Sequence, residues 1–174
     1  MTVEHFEDYS ATETLRDGRK VEIRALRPTD RPALKEAVDQ TSPLSLYRRF
    51  FTVKKSFTES EAHFFIDVDF KEHVVIVAIV DEDNHPAIVG GGRYVLIEKD
   101  KAEVAFTVID AYQGKGVGSM LLRHLTGIAR IAGLQQFVAE VLPENVQMLK
   151  MFEKSGLRMT VRAEPQVTHV TLDL

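Results

Sequence analysis

The chain has 174 residues, of which 44% are hydrophobic and 28% charged, and a formal net charge of −4 at pH 7. The length fits one domain, and the slightly acidic balance argues against a dedicated nucleic-acid binder, which usually carries an overall basic charge. The absence of cysteine excludes disulfides and thiolate metal sites and suits a reducing cytosol. The longest apolar stretch, 74–80, is far shorter than the ~20 residues of a membrane span, so we expect a cytoplasmic protein.

The N-terminal part of the chain predicts one strand and three helices. Residues 1 to about 17 show no clear period, so we expect a tail or an arm there and a single domain over 18–174. Asp30 or Thr29 can cap the first helix, and residues 58–61 have the form of a capping box for the third. The predicted elements, in order, are a strand at 20–26 and helices at 30–39, 44–51 and 58–68.

Strand patterns alternate with two helices from Val74 onward. The β-branched run at 74–80 predicts a strand buried on both faces. Gly90-Gly91-Gly92 interrupts the next strand and indicates a bulge or a close backbone approach. The predicted strands are 74–80, 87–97, 102–109, 137–142, 157–163 and 166–174, and the predicted helices are 116–132 and 145–155. This order predicts an α/β domain with a mixed sheet.

A glycine-rich loop, Gln113 to Ser119, lies between a predicted strand and a predicted helix. Its alternating glycines let the backbone approach a ligand, and the helix N-terminus offers free N–H groups with partial positive charge. The combination predicts an anion site suited to a pyrophosphate, which Lys115 can supplement. The spacing is neither G-x-G-x-x-G nor that of a P-loop, which disfavours dinucleotide and P-loop folds. A glycine turn without a ligand is the remaining alternative.

Two motifs carry a resemblance to a known family. Val108-Ile109-Asp110-Ala111-Tyr112-Gln113-Gly114-Lys115-Gly116-Val117-Gly118 resembles the acetyl-CoA signature of the GNAT superfamily, Q/R-x-x-G-x-G/A after a strand. Asn145 to Leu157 is similar to the N-x(7)-E-K-x-G-F element of that family. The resemblance implies the GNAT fold, with a mixed, mostly antiparallel central sheet flanked by helices, and acetyl-CoA as acetyl donor without a metal. It implies that the loop amides bind the pyrophosphate and that the preceding strand hydrogen-bonds the pantetheine arm. The implied donor-binding residues are Phe106, Thr107, Val108, Gln113, Gly114, Lys115, Gly116, Val117, Gly118, Ser119 and Asn145.

A narrower resemblance covers the chain from about Leu15 onward. Several segments recur in the same order in the acetyltransferase domain of bacterial Pat-type protein-lysine acetyltransferases. They include Leu15-Arg16-Asp17-Gly18, Arg27-Pro28-Thr29-Asp30, Ala102-Glu103 and Glu140-Val141-Leu142-Pro143-Glu144-Asn145. The resemblance implies acetylation of a protein lysine with Glu103 as the general base.

The chemistry of acetyl transfer to an amine requires a base, since a lysine with a pKa of about 10.4 is almost wholly protonated at neutral pH. Glu103 is the leading candidate because it lies among apolar residues, where burial would raise its pKa. The alternative is that Glu103 is a solvated carboxylate at the start of a strand with no catalytic role. Glu140 on the neighbouring strand is the second candidate for the base. Phe152 stands where many GNAT enzymes have a tyrosine that protonates the leaving thiolate. Tyr112 has a hydroxyl, but beside the loop we expect it to serve in packing.

The sequence does not identify the acceptor of the acetyl group. A protein lysine is the first hypothesis, a small-molecule amine the second, and a non-catalytic acyl-CoA-sensing module the third. We expect no nucleic-acid or membrane partner and no metal, since no histidine pair has metal-ligand spacing. A homodimer is compatible with the sequence. Arg48-Arg49 is expected on a solvated helix face, with an acceptor groove or a CoA phosphate as the alternative contact.

Overall fold

The computed structural model describes residues 3–42 and 68–174, and these form one sheet of eight strands with three α-helices. The strands are β1 (Ser10–Thr14), β2 (Lys20–Ala25), β3 (His73–Glu82), β4 (His85–Glu98), β5 (Lys101–Val108), β6 (Gln136–Val141), β7 (Arg158–Ala163) and β8 (Thr168–Asp173). The helices are α1 (Arg31–Asp39), α2 (Val117–Ile131) and α3 (Val146–Glu153). Short 3-10 turns lie at Val3–Asp8, Pro28–Asp30 and Asp110–Tyr112.

The sheet is mixed and mostly antiparallel, as predicted. Its strand order is β1-β2-β3-β4-β5-β6-β8-β7, and β5 with β6 is the parallel pair among the described strands. The remaining neighbours pair in the antiparallel direction. A parallel pair of consecutive strands needs a long crossover connection, and α2 lies between β5 and β6 in the chain.

The core of the domain lies between the central strands and α2. The β-branched run of β3 is buried on both faces, since Val74 is 0% and Val75 7% exposed, which confirms the prediction for this strand. The apolar face of α2 packs against β3, β4 and β5 through Leu121, Leu125 and Ile128, which are at most 1% exposed. The 3.6-residue period of apolar positions therefore places α2 on the sheet.

The glycine run in β4 marks a bulge, as its sequence predicted. The register of β3 with β4 shifts between Ala78 and Ile79, which pair with Gly90 and Ile88 and leave Val89 as the extra residue. A Cβ added at Gly90 would lie 3.0 Å from Cγ1 of Val117. The absence of a side chain at Gly90 therefore allows α2 to approach β4 closely.

The N-terminal segment is a packed arm rather than a patternless tail. The sequence indicated no strand before Lys20, yet β1 pairs with β2 along its whole length. Phe6 is 1% and Leu15 3% exposed, so both belong to the core. β1 escaped prediction because its residues, Ser10 to Thr14, are small or polar and lie on a sheet edge, where no apolar alternation is required.

Two local predictions need correction. Asp30 precedes α1 but does not cap it with its side chain. Its carboxylate instead accepts hydrogen bonds from Nη1 and Nη2 of Arg24, at 2.8 and 2.7 Å, and from the backbone N–H of Arg27. The connection left between the predicted strands 74–80 and 87–97 is also shorter than expected, because Asp83 and Asn84 adopt positive φ values of 50° and 64° and close a two-residue hairpin.

Other predictions fall beyond the part of the chain that the structure describes. The helices expected at 44–51 and 58–68, including Arg48-Arg49, belong almost entirely to residues outside the described ranges. Within those ranges, no helix combines the length and apolar character needed to cross a membrane.

Candidate active site

A cleft opens where β5 and β6 separate. The two strands pair at Lys101, Ala102 and Glu103, opposite Gln136, Phe137 and Val138. Beyond the pair Glu103–Val138, no described strand pairs with this edge of β5, and a cavity of about 560 Å³ lies between the strands. Backbone N–H and C=O groups at such an edge are available to a ligand.

The glycine loop closes one end of the cleft and has the geometry that the sequence predicted. Gly114 and Gly116 have φ values of +76° and +90°, in the left-handed region that favours glycine. Gly116 immediately precedes α2, so the free N–H groups of the first helical turn lie beside the loop. Nε2 of Gln113 donates to the carbonyl of Val108 over 3.0 Å and ties the loop back to β5.

Nearly all of the residues predicted for the donor site come together in this cleft. Those that line it are Phe106, Thr107, Val108, Gln113, Gly114, Gly116, Val117, Gly118, Ser119 and Asn145, and the predicted base Glu103 lines it as well. Lys115 is the exception among the predicted residues that the structure describes. Its Nζ lies 3.9 Å from Oδ2 of Asp17 and 5.5 Å from the centroid of the Tyr112 ring.

Sequence reasoning missed the cationic and sulfur-containing part of the lining. Lys150, Lys154, Met148 and Met151 come from α3 and the turn after it, and Arg16 comes from the N-terminal arm. The helical spacing of the α3 residues was a signal that could have been used, because positions three or four apart share a face. No local signal exists for Arg16, which is a hundred positions away from Gly116 in the sequence.

Glu103 lines the cleft but is exposed, which corrects the expectation that it is buried. Its neighbours Ala102 and Val104 are 0% and 3% exposed, because alternate residues of β5 face the core. Glu103 therefore lies on the opposite face of the strand. Burial lowers the pKa of Arg93 on β4, and the negative charge of Glu103 acts in the other direction, so these two charges interact.

A second carboxylate, Glu140 of β6, also lines the cleft. Its Oε1 lies 3.8 Å from Nδ1 of His169 on β8. The cleft thus carries two acidic side chains where β5 and β6 part, and basic side chains from the arm and α3 elsewhere in its lining.

Asn145 and Phe152 line the side of the cleft that α3 forms. Oδ1 of Asn145 accepts a hydrogen bond from the N–H of Met148 over 3.3 Å, which confirms the predicted helix cap. Phe152 is 1% exposed, and its ring contacts that of Phe106 edge to face with centroids 6.2 Å apart. Phe152 therefore acts as packing at a position that offers no acidic proton.

Tyr112 is also held in place by its contacts. Its hydroxyl donates to Oε1 of Glu82 over 2.5 Å and accepts from Nη1 of Arg19 over 2.8 Å. Burial and the hydrogen bond to Glu82 raise the pKa of Tyr112. A hydroxyl that is engaged in this way supports the interpretation of Tyr112 as a packing residue.

In the described ranges, no group of three or more His, Asp or Glu side chains is placed to hold a metal ion.

The comparison with protein families decides the assignment. The Acetyltransferase (GNAT) family matches residues 41–157, which is more than half of the chain. The chain belongs to the GNAT acetyltransferase family. Acetyl-CoA is the acetyl donor of this family and therefore the co-substrate of this GNAT acetyltransferase.

Two acetyltransferases are similar to this chain in sequence. The GNAT chain is 36% identical over 125 residues to an acetyltransferase of Pseudomonas aeruginosa, covering 71% of this chain and 67% of that protein. It is 34% identical over 144 residues to the acetyltransferase Pat of Mycolicibacterium smegmatis, covering 82% of this chain and 42% of Pat. The chain thus spans less than half the length of Pat.

The GNAT domain of S. lividans PAT has a similar structure. It superposes with a TM-score of 0.87 at 33% sequence identity and covers 98% of both chains. The predicted GNAT fold and the resemblance to Pat-type acetyltransferases are therefore confirmed.

Proposed function

We propose that this GNAT domain transfers the acetyl group of acetyl-CoA directly to the side-chain amine of a lysine in a protein. One observation carries the proposal: a single cleft joins the glycine loop at Gly114 and Gly116 to the carboxylate of Glu103. The similarity to Pat acetyltransferases supports a lysine acceptor. The two carboxylates that line the cleft, Glu103 and Glu140, favour an acceptor that arrives as a cation.

The donor occupies the cleft with its pyrophosphate at the glycine loop. Amide N–H groups of the loop and of the first turn of α2 are suited to bind this anion, because a helix N-terminus carries free donors and partial positive charge. The pantetheine arm runs from Val108 towards Val104 along the edge of β5 that faces β6, where no described strand pairs with β5 beyond Glu103. This arrangement brings the thioester to the point where β5 and β6 separate, beside Glu103.

Glu103 acts as the general base in this proposal. Its exposed carboxylate accepts a proton from the incoming ammonium, and a protein substrate that covers the cleft removes water from around it. The neutral amine attacks the carbonyl carbon of the thioester, a C–N bond forms, and the C–S bond breaks with CoA leaving as thiolate. Phe152 has no hydroxyl that could protonate the thiolate. The thiolate therefore takes its proton from water or from the amine nitrogen after the C–N bond has formed.

The test separates the base from the donor site. Glu103→Gln removes the base and keeps the shape of the side chain, and Glu98→Gln makes the same change at an exposed position outside the cleft. With acetyl-CoA and lysine peptides, we expect kcat to fall about 10²- to 10⁴-fold in the first variant only, with an altered pH profile. The Kd for CoA should stay within about threefold. An unchanged kcat and pH profile would remove Glu103 from the mechanism.

The acceptor is tested with a panel. Proteins and peptides with free lysines are compared with small amines at equal concentration, and release of free CoA is measured. Faster turnover of small amines would favour the alternative of a small-molecule N-acetyltransferase. Tight CoA binding with no turnover on any member of the panel would favour a non-catalytic acyl-CoA-sensing module.

A further inference from the structure

The N-terminal arm is fixed to the helix that follows the glycine loop. The hydroxyl of Tyr9 contacts Nδ1 of His124 on α2, and Nε2 of His124 lies 2.7 Å from Oε1 of Glu13 on β1. The same carboxylate accepts a hydrogen bond from Nη2 of Arg123. These contacts join both ends of β1 to the middle of α2, so the chain that leaves β1 has a defined position relative to the loop.

The turn after β1 is equally well defined. Leu15 is 3% exposed, its N–H donates to the carbonyl of Arg19 over 2.8 Å, and its own carbonyl accepts from the N–H of Gly18 over 3.0 Å. Gly18 has a φ of +90°, which the tight turn requires. Arg16 lies inside this closed turn, and its backbone position is therefore set by the buried anchor beside it.

Arg16 extends from this turn over the glycine loop. Its side chain lines the cleft, and its Nε lies 4.0 Å from the position that a Cβ at Gly116 would occupy. A guanidinium at this distance is close enough to share a ligand with the amides of the loop. The arm thus supplies a residue to the site from outside the segment that carries the two donor motifs.

Two other cations near the loop, Arg19 and Lys115, already have partners. Arg19 forms a hydrogen-bonded ion pair with Asp17 at 2.7 Å and donates to the Tyr112 hydroxyl. Lys115 lies 3.9 Å from the same carboxylate. The hydrogen bond from Arg19 lowers the pKa of Asp17 to about 2, so Asp17 stays ionised and offsets these charges at neutral pH. Arg16 makes no hydrogen bond or ion pair with another described residue.

We propose that Arg16 of the N-terminal arm binds the pyrophosphate of CoA together with the glycine loop, so that the arm completes the donor site. Its planar guanidinium can make two parallel hydrogen bonds to phosphate oxygens, which a lysine cannot. Arg16 takes the role that the sequence suggested for Lys115. The proposal rests on the proposed placement of the pyrophosphate at the glycine loop.

The experiment measures CoA binding by calorimetry without any acceptor, so that it does not depend on Glu103 or on turnover. For Arg16→Ala we expect Kd to rise about tenfold, and for Arg16→Lys by an intermediate factor. Arg158→Ala is the matched control, because it removes the same charge from an exposed side chain of β7 outside the cleft. A thermal unfolding curve for each variant identifies any loss of folded protein. A Kd for Arg16→Ala equal to that of wild type would overturn the proposal.

Two further binding measurements show which phosphate Arg16 contacts and distinguish failure of this proposal from failure of the proposed donor site. With dephospho-CoA, which lacks the 3′-phosphate, the same fold-loss supports contact with the pyrophosphate, and disappearance of the loss overturns it. Gly114→Ala strains the loop at a residue with φ +76° and open space around it. If this variant weakens CoA binding and Arg16→Ala does not, the arm proposal alone fails. If Gly114→Ala leaves Kd unchanged, the loop site fails and the arm proposal with it.

Discussion

Gly92 lies directly beneath the ring of Phe106, its partner across the β4–β5 ladder. A Cβ added at Gly92 would come within 2.9 Å of Cδ1 and Cε1 of that ring. Phe106 lines the cleft and contacts Phe152 of α3. The space left by one missing side chain in β4 therefore sets the position of an aromatic wall of the cleft.

Replacing Gly92 with Ala should displace Phe106 and destabilise the domain. Overpacking of a well-filled core costs about 1–3 kcal/mol, and the displaced ring should also raise the Kd for CoA. Gly91→Ala is a matched control, because its added Cβ would meet the nearest atom, the carbonyl oxygen of Ile76, at an ordinary 3.6 Å. Urea unfolding and CoA titration of both variants check the prediction, which fails if the two variants are equally stable.

Loss of the Asp30 carboxylate should destabilise the fold strongly. The side chains of Arg24 and Asp30 are only 9% and 8% exposed, and their ion pair is held by two hydrogen bonds. Asp30→Asn removes the charge that is hydrogen-bonded to the buried Arg24 guanidinium and leaves the more exposed Glu22, with Oε1 3.9 Å from Nε of Arg24, as its nearby carboxylate, which costs about 3 kcal/mol. The same change at Asp39, exposed at the end of α1, should alter the free energy of unfolding by less than about 0.5 kcal/mol. Equal effects at the two positions would contradict the assigned role of the pair.

The stability of the domain should depend on pH through His73. Burial, aided by the charge of Arg93 and opposed by that of Asp69, lowers the pKa of His73 to about 4 from its ordinary 6.5. Between these two values the unfolded chain binds a proton that the folded chain does not, so stability falls as the pH is lowered through this window. The slope contributed by this group is at most about 1.36 kcal/mol per pH unit.

Unfolding free energies measured from pH 7 to pH 4 check this dependence. His73→Gln removes the titrating group, and its stability curve should therefore be flatter than that of the wild type in this range. Parallel curves for the two proteins would show that another group causes the dependence.

The elements that sequence patterns predicted well are those whose signal is local. The apolar period of α2 and the β-branched run of β3 are each contained in one segment, and burial follows directly from them. The glycines at 114 and 116 likewise specify their own backbone conformation, so the loop could be foreseen.

The features that escaped prediction depend on residues far away in the chain. Glu103 is exposed because it lies on the face of β5 opposite the buried Ala102 and Val104, and the elements that cover the buried face, such as α2, are distant from Glu103 in the chain. The position of Arg16 depends on the contacts of Tyr9 and Glu13 with His124 across the molecule. Asp30 has the sequence features of a helix cap, but the guanidinium of Arg24 engages its carboxylate instead.

Because β6 no longer pairs with β5 beyond Glu103, the backbone and the side chains of β5 can contact different substrates. The edge of β5 offers backbone groups, whose chemistry is the same whatever the residue type, and in our proposal these groups meet the donor. Ala105 and Thr107 share a face with Glu103, opposite the buried face of Val104 and Phe106. Substitutions at Ala105, which is not among the implied donor-binding residues, therefore offer a route to altered acceptor preference with donor affinity retained, so that evolution or design can vary the two specificities independently.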